Sequence, residues 1–221
     1  MLADRYRPQS WSEVVGNDKA IEKIADLTVN AFDTGDPLVL LLTGPAGVGK
    51  STVARLVAKQ LGADECHVEV IPGGRCTADK VREVEDTLNH TALFGSGWKV
   101  VIVEEIDKLP PANAVHIVNL WLTLLETMPK RNCVIFTSNT KPDELYGGTD
   151  SPFVSRCYPV WFTKQGLATA DGGKPGPAAL RLKWIAQEEG INGKPDSYYV
   201  KLVSECNGNI RAAIHRMEME G

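Results

Sequence analysis

Paired cysteines are missing from this sequence. Its five, Cys66, Cys76, Cys133, Cys157 and Cys206, are odd in number and scattered, with no CxxC spacing and no secretory start. A disulfide scaffold is therefore excluded, and reduced thiols in a cytoplasmic, nucleoid or nuclear setting are expected. Cys66-His67 and Cys76 match no familiar zinc spacing and lack a fourth ligand, so zinc is not expected. Long hydrophobic runs are missing too. Leu38 to Leu42 and Val100 to Val103 fall far short of the roughly 20 residues a membrane helix needs. There is no internal repeat and no low-complexity tract. Net positive charge is also lacking: the formal charge is −4, so any contact with nucleic acid must come from a local cluster of Lys and Arg.

The 221 residues, 43% apolar and 24% charged, suffice for one globular domain and a small second one. Pro37 to Thr43 is a short Leu-rich run bounded by Pro37 and Gly44, the pattern of a strand buried on both faces. From Lys50 to Leu61 the apolar residues Val53, Leu56, Val57 and Leu61 recur at helical spacing, and Gly62 supplies a stop. Further strands are predicted at His67 to Ile71, Lys99 to Glu104, Asn132 to Thr137 and Tyr158 to Phe162. Helices are predicted at Asp18 to Phe32, Asp79 to His90 and Ala112 to Met128. Such alternation implies an α/β fold with a doubly wound, mostly parallel five-stranded sheet flanked by helices, over residues 1–163. Residues 164–177 hold four glycines and two prolines and read as a loop or linker. Three short amphipathic helices, Ala178 to Glu189, Asp196 to Cys206 and Asn209 to Glu220, predict a small helical second domain over 178–221.

Gly44-Pro45-Ala46-Gly47-Val48-Gly49-Lys50-Ser51 satisfies G-x-x-x-x-G-K-[ST], with a strand before it and a helix after it. The glycines let backbone N–H groups curl toward phosphate oxygens at a helix N-terminus. Lys50 is expected to neutralise β- and γ-phosphate charge, and Ser51 to ligate Mg²⁺. ATP and Mg²⁺ are the expected ligands. Acidic residues at the end of a neighbouring buried strand complete such a site, and Val100-Val-Ile-Val-Glu104-Glu105-Ile-Asp107 supplies them. Glu104 is expected to hold the metal and Glu105 to polarise the attacking water.

Four further segments carry a family resemblance. Asp4-Arg-Tyr6-Arg7-Pro8 followed by Trp11-Ser-Glu-Val14-Val15-Gly16 resembles the opening of the AAA+ ATPase subunits of sliding-clamp loaders. The resemblance implies that Tyr6, Arg7 and Pro8 close around adenine, with Val14 and Val15 packing on the base and Thr52 beside the phosphates. Phe136-Thr-Ser-Asn139 is similar to the strand-end polar sensor of AAA+ proteins. Ser155-Arg156-Cys157 resembles the motif whose Arg enters a neighbouring subunit's site, implying a homo- or hetero-oligomer. Asn207-Gly-Asn-Ile-Arg211 resembles the sensor of the helical lid. The resemblance runs from Asp4 to Met219 and implies an ATPase that loads or assembles a sliding clamp or other replication protein on primed DNA. Arg75, Thr77, Lys80, Arg82 and Lys108 are the candidate DNA contacts, although interleaved Asp79, Glu83 and Glu85 suit a solvated helix equally.

Departures from the pattern matter. Glu104 stands where the family usually has Asp, the helix around Trp121 is more apolar than its counterpart, and the sequence stops after the lid where clamp-loader subunits continue into a helical collar. They keep a second reading open: a nucleotide-gated binding module that turns over slowly and tethers through the Trp121 helix. A helicase loader or other AAA+ remodelling factor shares every nucleotide residue and stays open as well.

Overall fold

The computed structural model describes residues 1–92, 94–147, 151–191 and 193–220. Gly221, the last residue of the predicted helical second domain, lies outside them. Five strands form one parallel sheet: β1 Leu38–Thr43, β2 Val68–Pro72, β3 Lys99–Glu104, β4 Asn132–Ser138 and β5 Tyr158–Trp161. Their spatial order is β2-β3-β4-β1-β5, and every pairing is parallel.

The helices are α1 Leu2–Arg5, α2 Asp18–Thr34, α3 Lys50–Gln60, α4 Ala78–Asn89, α5 Ala114–Thr127, α6 Pro152–Ser155, α7 Pro177–Glu188, α8 Asp196–Glu205 and α9 Ile210–Glu220. Local chemistry sets their ends. Gly35 takes a left-handed conformation after α2 and its N–H donates to the Ala31 carbonyl at 2.8 Å, the expected glycine stop. Thr77 caps α4 by accepting from the Lys80 N–H at 3.2 Å.

Side chains of a strand alternate between faces, and both faces here are covered. Leu40, Leu42, Val100, Ile102 and Ile135 enter a core shared with α2, α3 and the three C-terminal helices. Val39, Leu41, Val101, Val103, Val134 and Phe136 enter the opposite core with α4 and α5. Burial on both sides is why these strands read as unbroken apolar runs.

One expectation changes. The apolar helix runs from Ala114 to Thr127 and packs on the sheet, with Trp121 fully buried and its ring edge-on to Phe136 at 5.1 Å. Trp121 is core, so it offers no tether surface. The glycine- and proline-rich stretch at 164–177 is a packed loop. An isolated antiparallel bridge joins Thr169 and Pro175, and Leu167 is buried in the first core. Among the described residues no helix is long and apolar enough to cross a membrane. No cluster of three or more His, Cys, Asp or Glu among them is placed to hold a metal.

Candidate nucleotide-binding site

Strand order builds the site. β4 lies between β3 and β1, with Val103 opposite Phe136 and Thr43 opposite Ser138, so the three strands end at the same level. The loop at Gly44 to Gly49 leaves β1, Glu104 and Glu105 end β3, and Asn139 follows β4 between them. This C-terminal edge of a parallel sheet is where ligands bind in α/β folds.

Lys50 opens α3 and is almost fully buried. Its Nζ donates to the carbonyls of Gly44 (2.6 Å) and Pro45 (2.8 Å) and to Asn139 Oδ1 (3.0 Å). Burial pulls its pKa down to about 8; Asp107 and Glu105 oppose that shift and Lys164 adds to it. An ammonium so placed gains from any anion brought into the loop. Gly47, at φ 78°, holds a backbone conformation that other residues rarely adopt, and a Cβ there would meet the Asn209 side-chain amide at 1.9 Å. Its carbonyl accepts from the Ile210 N–H at 3.2 Å, so the start of α9 rests on the loop. Ala46 is exposed at the loop's tip.

Glu105 adopts a left-handed φ of 57°, held by its N–H, which donates to Thr137 Oγ1 at 3.0 Å. Its carboxylate accepts from Lys108 Nζ at 2.7 Å and from Asn139 Nδ2 at 3.1 Å. Lys108 first, then Asn139 and Lys50, hold the carboxyl below its ordinary range against partial burial. Asp107 Oδ1 accepts from the Asn139 N–H at 3.1 Å. The Glu104 carboxylate lies 3.8 Å from the Arg55 guanidinium. Ser51, Glu104 and Glu105 face one cavity, together with Arg7, Arg55 and Arg211. At the end of β2, a Cβ on Gly73 would meet the Glu105 carbonyl at 2.0 Å; glycine permits that close approach.

A second cavity adjoins it. Tyr6, Arg7, Pro8, Val14 and Val15 line one side, Gly47, Val48, Gly49 and Thr52 another, and Arg181, Ile210, Arg211 and Ile214 a third. The first segment of the chain is fastened to the C-terminal helices. Tyr6 hydroxyl donates to Glu189, Arg5 pairs with Glu189, and the Tyr6 and Trp184 rings meet edge-on at 5.5 Å. The Leu2 N–H also donates to Glu218 at 3.2 Å.

Arg156 is not brought to either cavity. It ends α6, where it donates to the Pro152 carbonyl at 2.9 Å and pairs with Glu126 of α5. Three of the four cationic DNA candidates are engaged within the chain. Lys80 pairs with Glu69 and Glu83, Arg82 with Asp79, and Lys108 with Glu105. Thr77 serves as the α4 cap, and Arg75 makes no ion pair among the described residues. Sequence reasoning missed Glu13, Arg55, Asp107, Thr137, Arg181 and Asn209. Of these Glu13, Asp107, Thr137 and Asn209 lay within the quoted motifs, whereas Arg55 and Arg181 carried no signal.

A phosphate loop between β1 and α3, facing two carboxylates and a polar strand end across a parallel sheet, defines a P-loop nucleotide-binding protein. The sequence profile of the ATPase family associated with various cellular activities (AAA) matches residues 40–158, over half of the chain, which belongs to that family. The replication factor C large subunit of Methanosphaera stadtmanae is 27% identical, over 97% of this chain and 37% of that protein. The replication factor C small subunit of Natronomonas pharaonis is 26% identical, over 97% of this chain and 60% of its own length. The chain thus spans between about a third and three fifths of the length of these curated relatives. Among solved structures, a RuvB variant of Thermotoga maritima superposes with a TM-score of 0.73 at 20% identity, covering 96% of this chain and 64% of that one. That likeness concerns the fold.

Proposed function

We propose that this chain binds ATP with Mg²⁺, hydrolyses it, and uses the cycle in a clamp-loader-like role, assembling a protein on DNA during replication. The observation that carries the reading is the side chain of Asn139, which touches Lys50 at 3.0 Å and Glu105 at 3.1 Å at once. A phosphate cradle and an ionised carboxylate are thereby set on either side of one polar group, the arrangement that in-line attack of water on a terminal phosphate requires.

In this mechanism the N–H groups of residues 47 to 52 and the Lys50 ammonium receive the triphosphate. Ser51 and Glu104, a hydroxyl and a carboxylate, form the hard-oxygen set that suits Mg²⁺, which when bound neutralises charge on the phosphate oxygens. Glu105 accepts a proton from water and Asn139 orients that water. Arg211 faces both cavities, so it senses the phosphate end from α9. Arg156, remote from its own cavities, acts in a neighbouring subunit's site, where a guanidinium stabilises charge on the transferred phosphoryl.

Replication factor C relatives support the loading role, with a sliding clamp or another replication protein as partner and primed DNA as the platform. Solution mass with and without a non-hydrolysable ATP analogue, followed by ATPase assays with primed DNA, tests it. Nucleotide-dependent assembly and DNA-stimulated turnover are expected, both lost in Lys50→Ala. A monomer under all conditions, with turnover indifferent to DNA, would sink the loading role. A slowly cycling, nucleotide-gated module is the second reading. It is favoured by Glu104, one methylene longer than Asp and within 3.8 Å of Arg55.

A further inference from the structure

The ionised side chains around the two cavities sort into groups. Arg7 and Arg211 line both, and so mark the junction between the phosphate end and the apolar end. Asp4, Arg55, Glu104 and Glu105 line the cavity that also holds Ser51. Glu13 and Arg181 line only the other, whose walls are Pro8, Val14, Val48, Ile210 and Ile214. Such apolar walls suit the flat faces of a base and give no information about its edge.

Both members of this remote pair are held in place. Glu13 Oε1 accepts from Ser10 Oγ at 2.9 Å, and Oε2 accepts from the Gln9 N–H at 3.3 Å. Those two hydrogen bonds, Ser10 first, hold its carboxyl below the ordinary range, so it is ionised at neutral pH. The Arg181 guanidinium lies 4.3 Å from the Trp184 ring centroid, donates to the Tyr6 carbonyl at 3.4 Å, and sits 3.7 Å from Glu13 Oε2. An ionised carboxylate only accepts hydrogen bonds and a guanidinium only donates them. One edge of adenine offers an amino donor beside a ring-nitrogen acceptor, whereas guanine offers two acceptors there.

We propose that Glu13 and Arg181 select the base, Glu13 accepting from the exocyclic amino group of adenine and Arg181 donating to the adjacent ring nitrogen. The proposal rests on the nucleotide reading above and adds to it the specificity of that site. It assigns base discrimination to a salt-bridged pair joining the N-terminal segment to α7, outside the phosphate loop.

Calorimetric titration of the full chain with ADP, IDP and GDP tests it, since diphosphates report binding without turnover. IDP replaces the amino donor with a carbonyl acceptor and changes nothing in the phosphates. The wild type is expected to prefer ADP over IDP by roughly tenfold or more, a moderate value for a site built to hydrogen-bond a polar group. Glu13→Ala should bring the two affinities within about threefold of each other. Glu13→Gln, whose amide can also donate, should shift the ratio toward IDP. Equal wild-type affinities, or a wild-type ratio preserved in Glu13→Ala, overturn the selection proposal and leave the nucleotide site standing. Failure of all three diphosphates to bind the wild type overturns the nucleotide reading itself.

Discussion

Asn139 and Glu105 are joined across two strand ends, the Asn139 Nδ2 donating to Glu105 Oε1 at 3.1 Å. Since β4 separates β3 from β1, the residue that follows β4 stands between the carboxylate and the phosphate loop, and Asn139 touches both. Replacing it should disturb chemistry more than binding. Asn139→Ala is expected to lower turnover by about 10- to 100-fold, the range of a single orienting hydrogen bond. Affinity for ATP should change by less than about fivefold. Single-turnover rates beside equilibrium titration would separate the two, and an equal loss in both would refute the orienting role.

Glu105→Gln keeps the shape and removes the basic oxygen. Turnover is expected to fall by about 10²-fold or more with ATP still bound. Lys108 supplies the main influence holding the Glu105 carboxyl low, and the proposed mechanism uses the ionised form. Lys108→Ala therefore raises that pKa and moves the acid limb of the pH–rate profile to higher pH, while Lys108→Arg leaves it in place. An unmoved limb in Lys108→Ala would show that another group governs it.

Lys50 gives a pH signature in stability. Its pKa is about 8 in the folded chain against an ordinary 10.5, so between those values the unfolded chain binds more protons and stability rises with pH on its account. Below pH 8 the cost of keeping the buried ammonium charged is fully present. Relative to Lys50→Met, the wild type should gain stability between pH 8 and 10.5, on the order of 1 to 3 kcal/mol. Denaturation midpoints of both proteins at four or five pH values would reveal the gap, and parallel curves would argue against it. Adding nucleotide should flatten the wild-type curve, because phosphate restores the charged form.

Arg156→Ala and Glu105→Gln should complement each other. If Arg156 serves a neighbouring site, each variant alone is inactive, by roughly 10³-fold for the missing guanidinium. A mixture forms some interfaces with an intact Arg156 beside an intact Glu105, and regains a measurable fraction of activity that grows with protein concentration. No recovery on mixing would place Arg156 outside the catalytic cycle. Glu126, its partner in the free chain, then becomes the reason the guanidinium is held in one place.

The parts of this site that were legible are those whose chemistry is local. The run Leu38 to Thr43, the glycines and Lys50 lie within thirteen consecutive residues, and Glu104 and Glu105 follow directly on four apolar β-formers. Tyr6, Val14 and Arg211 were found only through a family resemblance. Arg181 was illegible because it meets Tyr6 across 175 positions of sequence and sits on a helix where an Arg is unremarkable. Trp121 misled for a related reason. An apolar helix is read as sticky when its partners are unknown, and its partner, Phe136, belongs to a strand already explained. The neighbouring Asp79 and Glu83 already offered partners to Arg82 and Lys80, whereas Glu69, from the edge strand β2, is a partner of Lys80 that only the fold brings near.

The seat of α9 on the Gly47 carbonyl has a mechanical meaning. Eleven helical residues from Ile210 to Glu220 form a rigid arm about 16 Å long, pivoted on the backbone of the phosphate loop. A tilt of about 5° at that pivot swings the far end by roughly 1.4 Å, so a displacement too slight to register at the loop becomes a surface movement near Met219 and Glu220.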